Sequence, residues 1–313
     1  MDPIRIGTRG SRLALVQARQ VQARIAATLG AAPAEAEQVA PIVVITTTGD
    51  RVQDRRLTEL GGKAMFTKEI EEALAERRID CAVHSLKDVG IERQPGLALA
   101  ATPEREDPRD AFLSPRYATL AELPNGARLG TGASLRRSAQ ALHRRPDLSI
   151  VLIRGNVDTR LAKLEAGEAD AMVLAMAGLN RLGMADRDRH AMDPFDYPPA
   201  PGQGAIVIET RIPDLDAAWV RALDHAPTAT CVAAERGALA ALEGSCHTAV
   251  GAHAVLAGDR LTLVVEALTP DGAERFRRQA ALIAPTAESA RALGFDLGAQ
   301  ICAEAGPRLL APE

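Results

Sequence analysis

Apolar and polar positions follow two interleaved rhythms along this chain. Short apolar runs end abruptly in Gly, Ser, Thr or Arg, and stretches with apolar residues every three or four positions follow them. The sharpest case is Asp80-Cys81-Ala82-Val83-His84-Ser85-Leu86-Lys87-Asp88, which starts as a buried strand and turns polar, with Lys87 and Asp88 side by side. In open α/β domains such strand ends are where ligands bind. Upstream, Ile4-Arg5-Ile6 predicts a strand, and Ser11 predicts the N-cap of a helix running to about Leu29 on Val21, Ile25 and Leu29. A strand over residues 42–47 closes a βαβ unit. Residues 49–63 lack periodicity and reach the pair Gly61-Gly62, which predicts a mobile loop. Thr67 is expected to cap a helix, with Glu69, Glu71 and Glu72 at its positive end, that leads into the strand at 80–86.

The same grammar returns after a Pro- and charge-rich crossing at residues 103–110. A strand near 128–129 runs into Gly130-Thr131-Gly132-Ala133-Ser134-Leu135-Arg136-Arg137 and a helix. Another over 149–153 ends at Arg154-Gly155-Asn156-Val157-Asp158-Thr159-Arg160 and a second helix. A strand over 171–175 leads to a short helical piece at Gly178-Leu179-Asn180-Arg181. A second Pro-rich crossing, 194–201, meets Gly202-Gln203-Gly204 and a strand over 205–209. Two crossings around one α/β unit imply that the chain leaves its first domain and returns to it. The last third changes character. It predicts a helix over 228–242, strands at 250–256 and 261–267 turning at Gly258-Asp259, a third strand at 275–283 and a helix over 288–305. The expected fold class is α/β: two α/β domains enclosing a cleft, plus a small α+β C-terminal domain. The expected boundaries are 1–102 with 203–222, then 103–202, then 223–313.

Composition narrows the function. A chain of 313 residues has room for two or three domains with real cores. A net charge of -4 provides no global field for nucleic acid, and 3% aromatics are too few for base-stacking platforms. The cysteines at 81, 231, 246 and 302 show no metal-ligand spacing, so no metal is expected, and reduced thiols are. Cys81, Cys231 and Cys302 read as packing residues. Met1-Asp2-Pro3-Ile4-Arg5 has no secretory pattern and no apolar run reaches membrane-span length, so a soluble, cytoplasmic protein is expected.

The candidate chemistry lies at three junctions, 7–11, 130–137 and 154–160, where Arg accompanies Ser, Thr or Asn at the start of a helix. Helix N-termini present free N–H groups to anions, and the arginine fork suits carboxylate or phosphate. The P-loop pattern is absent, which disfavours nucleotides. Asp88 at the strand end could stabilise a cation forming in a substrate, with Lys87 holding an anion. Arg109 and Asp110 are read as an ion pair across the crossing, and His84 as a satisfied strand-end histidine. The residues alone define a site for a ligand with several anionic groups, and no reaction. Two other classes are compatible with them: a non-catalytic anion-binding protein, and an enzyme using Cys246 as a transient nucleophile.

The reaction comes from a resemblance. Thr8-Arg9, Gly61-Gly62-Lys63-Ala64-Met65-Phe66, His84-Ser85-Leu86-Lys87-Asp88 and Arg105-Glu106-Asp107-Pro108-Arg109-Asp110-Ala111-Phe112 occur in the order found in porphobilinogen deaminases (hydroxymethylbilane synthases). Ser134-Leu135-Arg136-Arg137, Arg154-Gly155-Asn156-Val157, Ala177-Gly178-Leu179, Gly202-Gln203-Gly204-Ala205 and Leu242-Glu243-Gly244 continue that order, so the chain resembles the family nearly end to end. The resemblance implies two domains like those of periplasmic binding proteins and a third carrying a cysteine. It implies a transferase that joins four porphobilinogen molecules head to tail, releasing ammonia, on a covalent dipyrromethane primer, to give hydroxymethylbilane for tetrapyrrole and heme synthesis. Cys246 matches the cysteine holding that cofactor by a thioether, and Asp88 the catalytic carboxylate. Arg9, Ser11, Lys63, Phe66, Ser85, Lys87, Thr131, Ser134, Arg136, Arg137, Arg154, Gly155, Asn156, Arg160, Arg181, Gln203 and Gly204 match positions that bind substrate or cofactor. A cytoplasmic monomer with porphobilinogen as its partner, and no membrane or nucleic acid, is implied. Three positions depart from the family pattern: Ser245 precedes Cys246, the loop at 130–137 is one residue longer, and Gly90 stands where proline is usual.

Overall fold

The computed structural model describes residues 2–51, 66–132, 134–184, 189–242 and 248–310. Two compact units emerge, one from the described residues up to 106 together with 205–229, the other from 107–204 and 230–310. In chain order the first unit begins with β1 (Ile6–Thr8), α1 (Arg12–Thr28), α2 (Ala36–Val39), β2 (Ile42–Val44), α3 (Thr48–Arg51), α4 (Lys68–Ala75), β3 (Cys81–Ser85) and β4 (Leu97–Ala101). Then follow β5 (Asp110–Leu113), β6 (Arg128–Thr131), α5 (Leu135–Arg144), β7 (Ser149–Leu152), α6 (Val157–Glu165), β8 (Ala171–Ala175), α7 (Met176–Arg181) and β9 (His190–Ala191). The chain continues through β10 (Ile206–Arg211), α8 (Ala218–Arg221), α9 (Ala226–Ala241), β11 (Ala249–Ala257), β12 (Arg260–Leu268), β13 (Arg275–Ile283) and α10 (Ala287–Ala305).

The first sheet has the order β2-β1-β3-β10-β4, with β1 parallel to β2 and β3, and β10 antiparallel to β3 and β4. Both faces are covered. On one, Ala18, Val21 and Ile25 of α1 pack on Ile6, Cys81, Val83 and Ile208. On the other, Ile70, Ala73 and Leu74 of α4 pack on Ile79 and Ala82. The second sheet, β7-β6-β8-β5-β9, repeats this plan, with three parallel strands followed by an antiparallel one. An α/β fold is thus observed. The predicted elements meet it with local corrections. The strand expected at 42–47 stops at Val44, because Thr48–Arg51 turns helical. Thr67 stands before α4, but its side chain makes no capping bond. The rest of the expected loop, including Gly61-Gly62, lies outside the described residues.

The third sheet is the meander β11-β12-β13, turning at Gly258 with φ +61°. It packs on α10 and on α5, where the backbone of Gly272 meets that of Ala139 and His143. Helices α9 and α10 cross backbone to backbone. A Cβ on Gly294 would lie 1.9 Å from the Ala234 carbonyl oxygen, and one on Gly237 2.1 Å from that of Arg291. Gly294→Ala is therefore expected to lose stability by about 1–2 kcal/mol in urea unfolding, because overpacking here outweighs the ~1 kcal/mol gain in helix propensity. Unchanged stability would mean that the two helices separate at no cost. Cys81 and Cys231 are buried as expected, whereas Cys302 is exposed on the solvent side of α10. No described helix is long and apolar enough to cross a membrane.

Candidate active site

At the carboxyl ends of β1 and β3, Arg9, Ser11, Phe66, Ser85 and Asp88 line one depression, joined by Gln17, Thr67 and His84. Each is placed by a local device. Ser11 caps α1 by accepting from the Ala14 amide at 3.3 Å. Asp88 ends a single 3-10 turn, Leu86–Asp88, whose first residue is a buried anchor. Among the described residues no side chain pairs with the Asp88 carboxylate, which is half-buried. Arg9 is held from two sides. Its Nε donates to Asp50 Oδ1 at 3.1 Å, and its guanidinium stacks on Phe66, 4.2 Å from the ring centre. Gly49 makes room for that ring, since a Cβ there would come within 2.3 Å of it. Burial would raise the Asp50 carboxyl, but the hydrogen bonds from Arg9 and Thr47 outweigh it and hold it below the usual range. Ser85 exchanges hydrogen bonds with Gln17, whose Nε2 lies 2.9 Å from its Oγ. Lys87 is half-buried and does not line the depression.

In the second unit, Ser134 and Asn156 cap α5 and α6, accepting from the Arg137 amide at 3.5 Å and the Thr159 amide at 2.9 Å. Arg154 and Arg160 are half-buried beside the exposed Gly155 and Asn156. Gly132 allows Arg160 to join the two loops: a Cβ there would sit 2.8 Å from its Nη1. Thr131 is buried and bonded to Ser138 at 3.1 Å. Arg181 donates to the Gly204 carbonyl at 2.8 Å.

Arg136 and Arg137 are engaged internally. Both converge on Asp110, at 2.7 Å each, and all three side chains are at least nine-tenths buried. Gln203 closes the cluster, donating to Asp110 at 2.9 Å and to the Pro108 carbonyl at 2.8 Å. The pair expected between Arg109 and Asp110 is thereby corrected: Arg109 turns back to Asp107 at 2.7 Å, because Asp110 opens β5 and points into the unit. Burial would raise the Asp110 carboxyl, but the two guanidinium charges overcome it and hold it well below the usual carboxylate range. Further along α5, Gln140 donates to Glu266 at 2.8 Å, which ties the helix to β12.

Lys63 and Cys246 lie outside the described residues. Two residues, Gln17 and Asp50, escape the sequence reading, as do the true partners of Asp110. Gln17 falls four before Val21, on the buried stripe of α1, and a polar residue there is a detectable signal. Asp50 and Asp110 carry none, because their arginine partners are 41 and 27 residues away.

The fold and site define a multidomain α/β protein with a carboxylate-bearing depression at its strand ends. Residues 4–218 match the family model "Porphobilinogen deaminase, dipyromethane cofactor binding domain", and residues 229–303 match "Porphobilinogen deaminase, C-terminal domain". The porphobilinogen deaminase of Caulobacter vibrioides is 61% identical over 318 residues, covering 99% of this chain and 98% of its own. That of Phenylobacterium zucineum is 58% identical over 314 residues, with 98% of each chain covered. A periplasmic substrate-binding protein of an ABC transporter from Coxiella burnetii aligns at a TM-score of 0.44 and 15% identity, over 70% of this chain and 90% of that one. The chain belongs to the porphobilinogen deaminase family, enzymes of tetrapyrrole synthesis with a dipyrromethane cofactor.

Proposed function

We propose that this chain joins four porphobilinogen molecules head to tail into hydroxymethylbilane, with Asp88 as the catalytic carboxylate and Cys246 as the thioether anchor of dipyrromethane. The observation that carries the assignment of Asp88 is its place in the depression, a half-buried charge at a strand end beside Arg9 and Ser11. Loss of ammonia breaks the C–N bond of the substrate's aminomethyl group, and the electron pair leaves with nitrogen. Positive charge then spreads over the pyrrole, and a fixed carboxylate near the ring N–H stabilises it. Arg9, already oriented by Asp50 and Phe66, offers its remaining donors to a substrate carboxylate. Ser11 and Ser85 complete this side, and Lys63, Phe66 and Lys87 belong with them by family position.

The residues present fit dipyrromethane, which bears several carboxylates. Arg154 and Arg160 stand at the start of α6, and Gly132 has no Cβ in the space the Arg160 head group needs. With Thr131, Ser134 and Arg181 they would hold the group, and when bound it supplies the free pyrrole carbon on which the chain is built. Arg136, Arg137, Gln203 and Gly204 would act from behind, keeping the loops in place through the Asp110 cluster.

Three functional domains, 1–102 with 203–222, 103–202 and 223–313, agree with one sheet falling in each segment. A cytoplasmic monomer completes the reading. Intact-protein mass spectrometry tests it: wild type should exceed its sequence mass by one dipyrromethane, Cys246→Ser should not, and Cys81, Cys231 and Cys302 variants should. An unmodified wild type that turns over fully would remove Cys246 from the mechanism.

A further inference from the structure

On the α4 face of the first sheet, reaching the depression at His84, lies a buried charge cluster that this reaction does not use directly. Alternation along β3 turns Ser85 toward α1 and His84 toward α4. His84 Nε2 lies 3.1 Å from Glu209 Oε2, with side-chain exposures of 4% and 0%. Arg93 donates through Nε to the other carboxylate oxygen, Oε1, at 3.1 Å, and its Nη2 pairs with Glu71 of α4 at 2.6 Å. Burial would raise the Glu209 carboxyl; the hydrogen bond to His84 and the hydrogen bond and charge of Arg93 outweigh it and hold it below the usual carboxylate range.

The position of this cluster in the chain gives it a use. His84 stands four residues before Asp88 and Arg93 five after it. The segment between them is carried on one short 3-10 turn. Leu86 and Val89 are buried, the Leu86 amide donates to the Ala205 carbonyl at 3.0 Å, and the Val89 amide closes the turn on Leu86 at 3.1 Å. One 3-10 turn is a poor frame for a carboxylate that must be held to within about 0.5 Å. A buried ion cluster is also a costly way to join a sheet to a helix, since apolar residues of similar volume do that as well or better.

We propose that Glu209 is a positioning residue for Asp88. From the neighbouring strand β10 it grips the chain on both sides of the catalytic turn, through His84 and through Arg93. This rests on the reading of Asp88 as the catalytic carboxylate, and it adds a device that acts only through that residue. Arg93 passes the restraint to α4 through Glu71, so the turn, two strands and a helix share one electrostatic knot.

A double-mutant cycle in folded, cofactor-loaded protein tests it. Glu209→Gln should slow single-turnover ammonia release by roughly 10–100-fold, as expected for a reacting group misplaced by about 1 Å, while KM for porphobilinogen moves less than about threefold. Added to Asp88→Asn, the same change should cost less than about threefold more, because its effect is already spent. Amide hydrogen exchange over residues 86–93 should quicken while that of β3 holds. Additive effects in the cycle, or full ammonia release in Glu209→Gln, would overturn the proposal. Should Glu209→Gln fail to fold, Arg93→Met in the same cycle decides it on the same criteria. If Asp88→Asn alone matches wild type, the assignment of Asp88 fails, and the exchange measurement decides by itself whether Glu209 clamps the turn.

Discussion

Asp88→Asn is expected to cut single-turnover ammonia release by ~10²–10³, or roughly 2.7–4 kcal/mol, the usual loss when a preorganised electrostatic partner is removed. Asparagine keeps the size and one acceptor but removes the charge. The fold should tolerate it, because among the described residues no side chain depends on that carboxylate. Asp88→Glu restores the charge one methylene further out and should recover part of the rate. The variants must be compared with dipyrromethane loading checked by mass, so that a failure to assemble the cofactor is not read as a failure of chemistry. If Asn matches wild type at full loading, Asp88 is an ordinary strand-end residue and the charge is stabilised elsewhere.

Asp110→Asn should destabilise the second unit by roughly 3–5 kcal/mol in urea unfolding, the range for breaking a buried pair and leaving its partner charged. Here two arginines, each less than a tenth exposed, would be left without their anion. The pH dependence carries a definite sign. The folded carboxyl lies well below its unfolded value near ~3.9, so as the pH falls the unfolded state takes up the proton first. The stability due to Asp110 is therefore complete above about pH 5 and declines as acid titrates the folded group. Asp110→Asn should lack that share of the acid limb and show a flatter profile between about pH 5 and 2. Equal stability of variant and wild type at neutral pH would mean that water reaches the two guanidinium groups.

Local signals in this chain were readable where one residue type does one job. Ser11 was visible as an N-cap because a short polar side chain before an apolar-periodic run has few other uses, and it caps, whereas Thr67, read the same way, makes no capping bond. The strand at 171–175 was visible because it is apolar throughout and follows the polar run Glu168-Ala169-Asp170. β5 was hidden: four residues at the end of a Pro- and charge-rich crossing have no periodicity of their own, and Asp110 is intelligible only once Arg136 and Arg137 arrive from α5. Half of the candidate site was legible for the same reason. Arg9, Ser11, Phe66, Ser85 and Asp88 share a depression as family position implied, and Gln17 leaves a trace as a polar residue on a buried stripe, whereas Asp50 and Glu209 meet their partners from elements far along the chain. Cys302 shows the limit of periodicity, since a thiol on a mostly apolar helix can face either way.

The order β2-β1-β3-β10-β4 also has a bearing on how the protein is made. β4 joins its sheet only through β10, which is synthesised about a hundred residues later, a delay of roughly 5–20 s at ~5–20 residues per second. Throughout that interval the emerging chain holds an apolar strand, Leu97–Ala101, with no ladder partner, and β3 keeps an open edge. The middle sheet has no such wait, because its strands all fall between Asp110 and Ala191. On the ribosome the second sheet can close before the first, and the first is sealed by the strand that follows it. Nascent chains stalled between residues 102 and 205 are thus the form in which this protein most needs shielding from other strands.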